Sequence, residues 1–357
     1  MSTNTLRGDI IFLLGAGASK NADIPISSEM LYNLEKSLSS NVEDESWLEI
    51  YHYVLGAISF AKGCRGSKGM GTTNIEDIMK TLRLLANRQY EDIYPFVGSW
   101  HEKISQFESK DSKCFKKLIE FIEEKFVEWV DLKDKEMKAN YLQGFGKLAK
   151  DLSAKIRIFT LNYDLSIETA IDNYSRCSLQ TGFDFEGNWN SAFYDESESD
   201  IYLYKLHGSI DWWYTDNGLI VRSEEPAGKK RLLIFGVDNK LQSIDPFFYQ
   251  TYQMRQHILQ TEVIIIIGYS FSDSYINRII FQALQHDESK KLLIIDKYAN
   301  RIKENLHSIC LNDMDFELPE NKVIPFQVET KPLFENDLLK PKLDEIYTKI
   351  EDELPFK

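Results

Sequence analysis

The stretch Ile10-Ile11-Phe12-Leu13-Leu14-Gly15-Ala16-Gly17-Ala18-Ser19 decides the fold. Five apolar residues in a row suit a strand buried on both faces of a parallel sheet. Gly15 and Gly17 let the backbone turn sharply and come close to a ligand. A helix starting near Ser19 would aim its free N–H groups and positive dipole end at that spot, where a phosphate is held. The same residues also serve as a plain strand-to-helix turn, so the stretch alone leaves both readings open. It lacks the third glycine of the dinucleotide fingerprint. Glu35, near the distance at which that fingerprint needs an acidic strand end, falls in a helical pattern at 30–38. No Gly-Lys-Ser/Thr follows, which excludes a Walker-type loop.

Further short apolar strands are expected at 156–160, 202–206, 232–235, 263–267 and 292–295. Polar or glycine-containing loops follow them, and several of these lead into helical patterns. This is the signature of an α/β fold with a doubly wound parallel sheet. The long interval between the first two strands reads as helix. Ile75, Ile78, Met79, Leu82 and Leu85 form one stripe, and Phe115, Leu118, Ile119, Ile122, Phe126, Trp129 and Val130 form another. A glycine-rich loop is expected at 62–73. Beyond Leu311 the chain is expected to add an edge strand at 323–326 and a helix at 338–354.

The 357 residues suffice for one large or two modest domains, and the 43% hydrophobic content is normal for a globular chain. A net charge of −14 argues against a broad nucleic-acid surface. Lys229-Lys230-Arg231 reads as a solvated turn, and 195–200 as a solvated acidic loop. No apolar run approaches the ~20 residues of a membrane span. The polar N-terminal residues read as no signal peptide. The four cysteines are far apart, without a Cys-x-x-Cys pair, so neither a zinc ribbon nor a disulfide framework is expected. A reducing cytoplasm is the expected setting.

Ligands of open α/β sheets sit beyond the carboxyl ends of the strands. The residues there are Gly15–Ser19, then Thr160-Leu161-Asn162-Tyr163-Asp164, then Leu206-His207-Gly208-Ser209, then Gly268-Tyr269-Ser270-Phe271-Ser272-Asp273, and Asp296. Each has an ordinary alternative. Asn162 and Asp296 can cap helices, His207 can be a satisfied strand-end imidazole, and Gly268 with Ser270 can be a turn and N-cap. An amide, an imidazole and two glycine turns would nonetheless converge on one rim.

This ordered set resembles the sirtuin family. Gly15-Ala16-Gly17-Ala18-Ser19 with Ala22-Asp23-Ile24-Pro25 is similar to its glycine loop and the Gly-Ile-Pro beyond. Thr160–Asp164 is similar to its Thr-Gln-Asn-Ile-Asp, and His207-Gly208 to its catalytic His-Gly. Phe235-Gly236 and Gly268-Tyr269-Ser270 follow in the expected order. Protein-deacylating sirtuins differ in carrying a four-cysteine zinc ribbon, Asp-Phe-Arg where this chain has Ile26-Ser27-Ser28, and glutamine where it has Leu161. These departures are shared with the sirtuin-like NAD hydrolases of bacterial antiviral defence.

The resemblance implies a Rossmann-like domain from 1–30 and 151–310, a large helical insertion at 31–150 and a short C-terminal extension at 311–357. It implies NAD as substrate and no metal. It also implies cleavage to nicotinamide and ADP-ribose in abortive-infection defence, with a homo-oligomer and a HerA-type ATPase as expected partners. A constitutive NAD hydrolase would poison its own cell, so autoinhibition or a required activator is expected. Gly15–Ser19 would hold the pyrophosphate, Asn162 the ribose hydroxyls or the attacking water, and Asp164 the nicotinamide amide. His207 would be the general base. Gly268, Ser270 and Asp296 would line the adenosine side. The competing readings are a protein deacylase or ADP-ribosyltransferase, and a non-catalytic NAD-binding subunit.

Overall fold

A computed structural model of the chain describes residues 9–41, 46–64, 73–88, 101–223, 230–235 and 244–353. They fall into two compact units. The first holds the described residues within 1–24, 132–233 and 240–357. The second holds those within 25–131, with Ile234 and Phe235.

The second unit is helical: α1 (Ser27–Ser39), α2 (Ser46–Cys64), α3 (Ile75–Asn87), α4 (His101–Lys110) and α5 (Cys114–Val130). Both stripes expected from the sequence supply its core. All five apolar residues of the α3 stripe are buried, as are Phe115, Leu118, Ile122, Phe126 and Val130 of α5. Asn74 starts α3 with a reciprocal capping box, its side chain accepting from the Asp77 N–H while the Asp77 carboxylate accepts from the Asn74 N–H. Phe126 stacks on Phe235 at 4.2 Å between ring centroids. Arg83 ties the same segments together, donating to the Phe235 carbonyl and to Glu123. Glu35 lies inside α1, as its periodicity requires. Of the expected glycine-rich loop, Lys62–Cys64 end α2, and residues 65–72 lie outside the described residues.

The first unit is built on β1 (Ile10–Leu14), β2 (Ile156–Thr160), β3 (Leu179–Gln180), β4 (Ile201–Lys205), β8 (Val263–Ile267), β9 (Lys291–Ile295) and β10 (Val323–Phe326). They form one sheet in the order β10-β9-β8-β1-β2-β4-β3, with every pairing parallel. The fold is α/β and Rossmann-like, and the strand order reverses at β1. All five residues of β1, β4, β8 and β9 are buried, which explains apolar runs that only Lys205 of β4 and Lys291 of β9 interrupt. The stretch beyond 311 supplies β10, the outermost strand on one side of the sheet.

A second, antiparallel sheet holds β5 (Gly208–Tyr214), β6 (Ile220–Arg222) and β7 (Lys230–Leu233) in the order β6-β5-β7. Of the strand expected at 232–235, Leu232 and Leu233 therefore belong to this small sheet and not to the main one, and Ile234 and Phe235 lie past its end. Its apolar run satisfied the pattern, but the antiparallel ladder to β5 claims its backbone. Lys230 and Arg231, expected in a solvated turn, are strand residues, and the Arg231 guanidinium lies 4.4 Å over the Trp213 ring. The acidic stretch 195–200 is also not merely solvated, because the Asp200 carboxylate binds Lys150 and Ser178.

The remaining helices of this unit are α6 (Gly144–Leu152), α7 (Ser166–Asp172), α8 (Ala192–Glu196), α9 (Phe247–Gln260), α10 (Ser274–His286), α11 (Ala299–Met314), α12 (Thr330–Glu335) and α13 (Leu339–Glu353). Phe12 of β1 meets Phe145 of α6 edge-on at 5.0 Å, and Phe145 meets Phe334 of α12 at 4.7 Å. No helix among the described residues is long and apolar enough to cross a membrane.

Candidate functional site

Strand register lines up the carboxyl ends. Leu14 pairs with Thr160 on one side and Ile267 on the other; Thr160 pairs with Lys205, and Ile267 with Ile295. Gly15, Leu161, Leu206, Gly268 and Asp296 thus step off five neighbouring strands at one level. Asn162 and His207 occupy equivalent places, each two residues past a paired strand end, on strands ~4.8 Å apart.

Asn162 is buried and spends both amide hydrogens inside the rim. Its Nδ2 donates to the Gly15 carbonyl and to Ser19 Oγ, each at 3.0 Å. Ser19 passes its own proton on, donating to Asp164 Oδ1 at 3.1 Å. That oxygen also accepts from the Ser166 N–H at the start of α7. Asn162 therefore keeps only its carbonyl oxygen for a ligand, as an acceptor for a hydroxyl or water. Asp164, expected to contact the ligand, uses Oδ1 to anchor Ser19 and to accept from the first N–H of α7. Asn162 is not the cap of α7; its own N–H is turned back onto Thr160 Oγ1.

The glycine loop differs from expectation in one respect. No α-helix begins at Ser19. Two short 3-10 turns, Ala16–Ala18 and Lys20–Ala22, follow β1, and α1 starts only at Ser27. The N–H groups of Gly17, Ala18 and Ser19 are used locally, donating to the carbonyls of Gly268, Gly15 and Ala16. The carbonyls are held as well, since Gly15, Gly17 and Ala18 accept from Asn162, Thr330 and Tyr141. The physical reason is the opposing turn. Gly268 has φ 65°, and a Cβ there would lie 2.3 Å from the Ala18 nitrogen. A Cβ on Gly17 would meet Gly268 Cα at 2.8 Å. These glycines permit two rim backbones to touch, a demand at least as strong as approach to a ligand.

His207 sits in the two-residue link between β4 and β5. Its side chain is 11% exposed, and its Nε2 lies 3.1 Å from Asp273 Oδ2. Its ring centroid is 6.0 Å from that of Tyr163. Asp273, and not Ser270, is the N-cap of α10: its Oδ1 accepts from the N–H groups of Tyr275 and Ile276. Burial works to raise the Asp273 carboxyl. The His207 hydrogen bond and charge, with the two backbone donors, bring it below the usual carboxylate range. Ser270 is exposed and bonds only Ser272 among the described contacts. Asp296 caps the chain ahead of α11 by accepting from the Tyr298 N–H at 2.7 Å. Its burial holds the carboxyl above the usual value, against that backbone donor and Lys297.

Lys205, Tyr269 and Asn277, to which the sequence motifs gave no role, complete the rim. Buried Lys205 donates to the Tyr163 and Asp164 carbonyls and pairs with Glu168 at 3.0 Å. Burial raises the Glu168 carboxyl, and the Lys205 charge works against it. Tyr269 and Asn277 pin the turn before α10: the Tyr269 hydroxyl lies 2.8 Å from Asn277 Oδ1, and Asn277 Nδ2 donates to the Phe271 carbonyl. The signal for Asp273 was present in the chain, as an Asp directly ahead of an apolar helical run. A cleft of about 500 Å³ between α9 and α10, lined by Arg255, Leu259, Ile279, Gln282, Gln285 and His286, holds none of the expected residues. The four cysteines are free thiols, and among the described residues no three His, Cys, Asp or Glu side chains cluster as metal ligands do.

No curated protein matches the sequence. Three solved structures align over most of both chains. "Structure of Sir2Tm bound to a propionylated peptide" shares 10% identity and a TM-score of 0.36, covering 94% of this chain and 93% of that one. A Sir2 homologue mutant in complex with ADP-ribose shares 13% identity and a TM-score of 0.37, covering 98% and 94%. "Structural Basis for the Mechanism and Regulation of Sir2 Enzymes" shares 14% identity and a TM-score of 0.33, covering 87% and 94%. Residues 156–317, which include Asn162, Asp164, His207, Gly268, Asp273 and Asp296, match the family model described as SIR2-like domain.

Proposed function

We propose that this chain is an NAD glycohydrolase that releases nicotinamide and ADP-ribose. The observation that carries the reading is the placement of Asn162 and His207 at equivalent positions past two register-paired strands, inside the SIR2-like match. The glycosidic bond of NAD joins ribose to a cationic nicotinamide, so the leaving group needs no protonation. Cleavage then asks for a held ribose, an oxocarbenium-like transition state and a positioned water. The Asn162 carbonyl oxygen accepts from a ribose hydroxyl or from that water. His207 takes the proton of the attacking group as general base. The Gly15–Ser19 turn and the Gly268 turn packed on it shape the floor for the pyrophosphate. Ser270 and Asp296 stand on the side where the adenosine lies, and Asp296 can accept ribose hydroxyls with its second oxygen.

In the cell we assign the reaction to NAD depletion in antiviral defence, with self-association and an ATPase partner as the means of control. Incubating the pure protein with NAD and following nicotinamide and ADP-ribose tests the chemistry. Release without any peptide is the expected result. Release only with an acetylated peptide would replace this reading with a deacylase. Silence with or without peptide, in every oligomeric fraction, would leave an NAD-binding subunit.

A further inference from the structure

We propose that the turn at 184–187 of one copy of this chain docks into the α9–α10 cleft of a second copy, with Phe185 as its anchor. The turn is braced. The Gly187 N–H donates to the Asp184 carbonyl, and the Asn188 N–H donates to Asp184 Oδ1 at 2.8 Å. The Gly187 carbonyl accepts from the Arg222 N–H of β6. The Asn188 backbone bond, foremost, holds the Asp184 carboxyl below its usual range. On this turn Phe185 is 97% exposed, more than any other large apolar side chain among the described residues, and it stands between Asp184 and Glu186. A single exposed apolar side chain is ordinary. One held out on a braced turn loses little freedom when it docks.

The two helices supply the complement. Neither α9 nor α10 contains an Asp or a Glu, in a chain with 56 of them and a net charge of −14. Glu262, Asp287 and Glu288 come only after the helices have ended. Tyr252, Arg255 and Leu259 recur at helical spacing along α9, and Tyr275, Ile279, Gln282 and His286 along α10. Leu259 and Ile279 give the cleft its apolar surface. Arg255 brings positive charge to it, and exposed Arg278 lies one turn from Gln282. The volume of about 500 Å³ falls within the roughly 300–1,000 Å³ of pockets that hold organic groups, so a phenyl ring can enter. Aromatic rings and arginines without carboxylates are the makeup of an interface core.

Charge selects a second copy as the occupant. Two chains at −14 repel across most of their surfaces. Asp184 and Glu186 set against Arg255 and Arg278 replace that repulsion with attraction. The exposure of Phe185 shows that it does not fill the cleft of its own chain. Two copies satisfy the contact reciprocally about a two-fold axis, or successive copies satisfy it head to tail.

The contact deepens the self-association invoked for control and rests on that part of the reading, not on the chemistry. Sedimentation velocity of the full chain, over a range of concentrations at low and high salt, tests it. The wild-type chain is expected to associate, and less strongly at high salt. Phe185→Ala and Arg255→Glu are each expected to weaken association by about 30-fold or more, the scale of a lost interface anchor. Both side chains are exposed, so unfolding midpoints are expected to stay near wild type. A mixture of the two variants still holds one intact turn and one intact cleft, and is expected to form a one-to-one pair.

Unchanged association in both variants overturns the proposal and leaves self-association to another face. Loss in Arg255→Glu alone gives the cleft a different occupant and overturns it too, as does a mixture that forms no pair. A wild-type chain that stays monomeric at every concentration overturns the self-association reading together with the proposal, and nicotinamide release then tests the hydrolase reading alone.

Discussion

The two ends of the main sheet handle the same physical problem with opposite charges. At the carboxyl end, helices begin, and their free N–H groups are met by carboxylates: Asp164 for α7, Asp273 for α10 and Asp296 for α11. At the amino end, helices finish, and their free carbonyls are met by buried ammonium groups. Lys290 donates to the Leu259 and Thr261 carbonyls at the end of α9, and Lys322 to the Leu284 and Asp287 carbonyls at the end of α10. Both follow from the helix dipole and its unsatisfied terminal groups. The difference lies in what is left over. The lysines are 1% and 5% exposed and reach the helix ends. The carboxylates stand where the glycine turns, Asn162 and His207 also stand, and Asp273 spends its second oxygen on His207. One end of the sheet holds the fold, and the other does this while carrying the residues of the proposed site.

The sharpest way to break this contrast is at the rim. His207→Ala is expected to lower nicotinamide release by about 10²–10⁴-fold in a chain that still folds, with a lowered midpoint from the lost bond to Asp273. Asn162→Ala should lose release to a similar degree. It should also lower the midpoint, because it leaves the Gly15 carbonyl and the Ser19 hydroxyl without their donor. Normal turnover in either variant would remove the rim from the chemistry.

Gly268→Ala comes next. Its φ of 65° and the 2.3 Å approach to the Ala18 nitrogen cannot both survive a Cβ. A stability loss of about 2–4 kcal/mol is expected, with weakened activity as the glycine turn is displaced. Chemical denaturation and turnover, measured together, check it.

At the opposite end, Lys322→Met should cost about 1–3 kcal/mol, because buried carbonyls lose their donor. Activity per folded molecule should not change. A kcat defect in this variant would erase the distinction between the two ends.

The smallest expected effect is a separation in pH. His257, near the amino end, is pushed down to about 4, first by burial and then by the Arg157 charge, with Asp9 acting the other way. The folded chain thus binds fewer protons there than the unfolded chain below an ordinary value near 6.5. Its contribution is fully present above that value and is lost as pH falls through about 4. Asp273 is also lowered, so its contribution is present above the ordinary carboxylate value and is lost only as pH falls below it. Melting midpoints between pH 7.5 and 5 should therefore decline in the wild type and flatten in His257→Phe. An equal decline in both would exclude His257 as the cause.

β1, β4, β8 and β9 were legible because burial on both faces leaves apolar runs, as in Val263–Ile267. The stripes of α3 and α5 were legible because one face of each helix must be apolar. The strand at 232–235 was misplaced because four apolar residues state that a strand exists and not which sheet accepts it. β3, β5 and β6 were missed because two- and three-residue strands carry little pattern and β5 is mixed in character, with Asp211 between apolar neighbours.

At the site, the sequence by itself determined which residue types stand past each strand end. Glycine pairs, an amide and an imidazole at those places follow from local pattern, since strand ends are where the chain turns. The sequence could not determine how those groups spend their hydrogen bonds. Asn162 reaches Gly15 and Ser19 across more than 140 residues of chain, and His207 reaches Asp273 across 66. Such pairings exist only once parallel register has brought the strand ends level. Tertiary structure therefore decided that Asp164 braces the turn, that the amides of the glycine loop face the Gly268 turn and one another, and that Asp273 backs the imidazole.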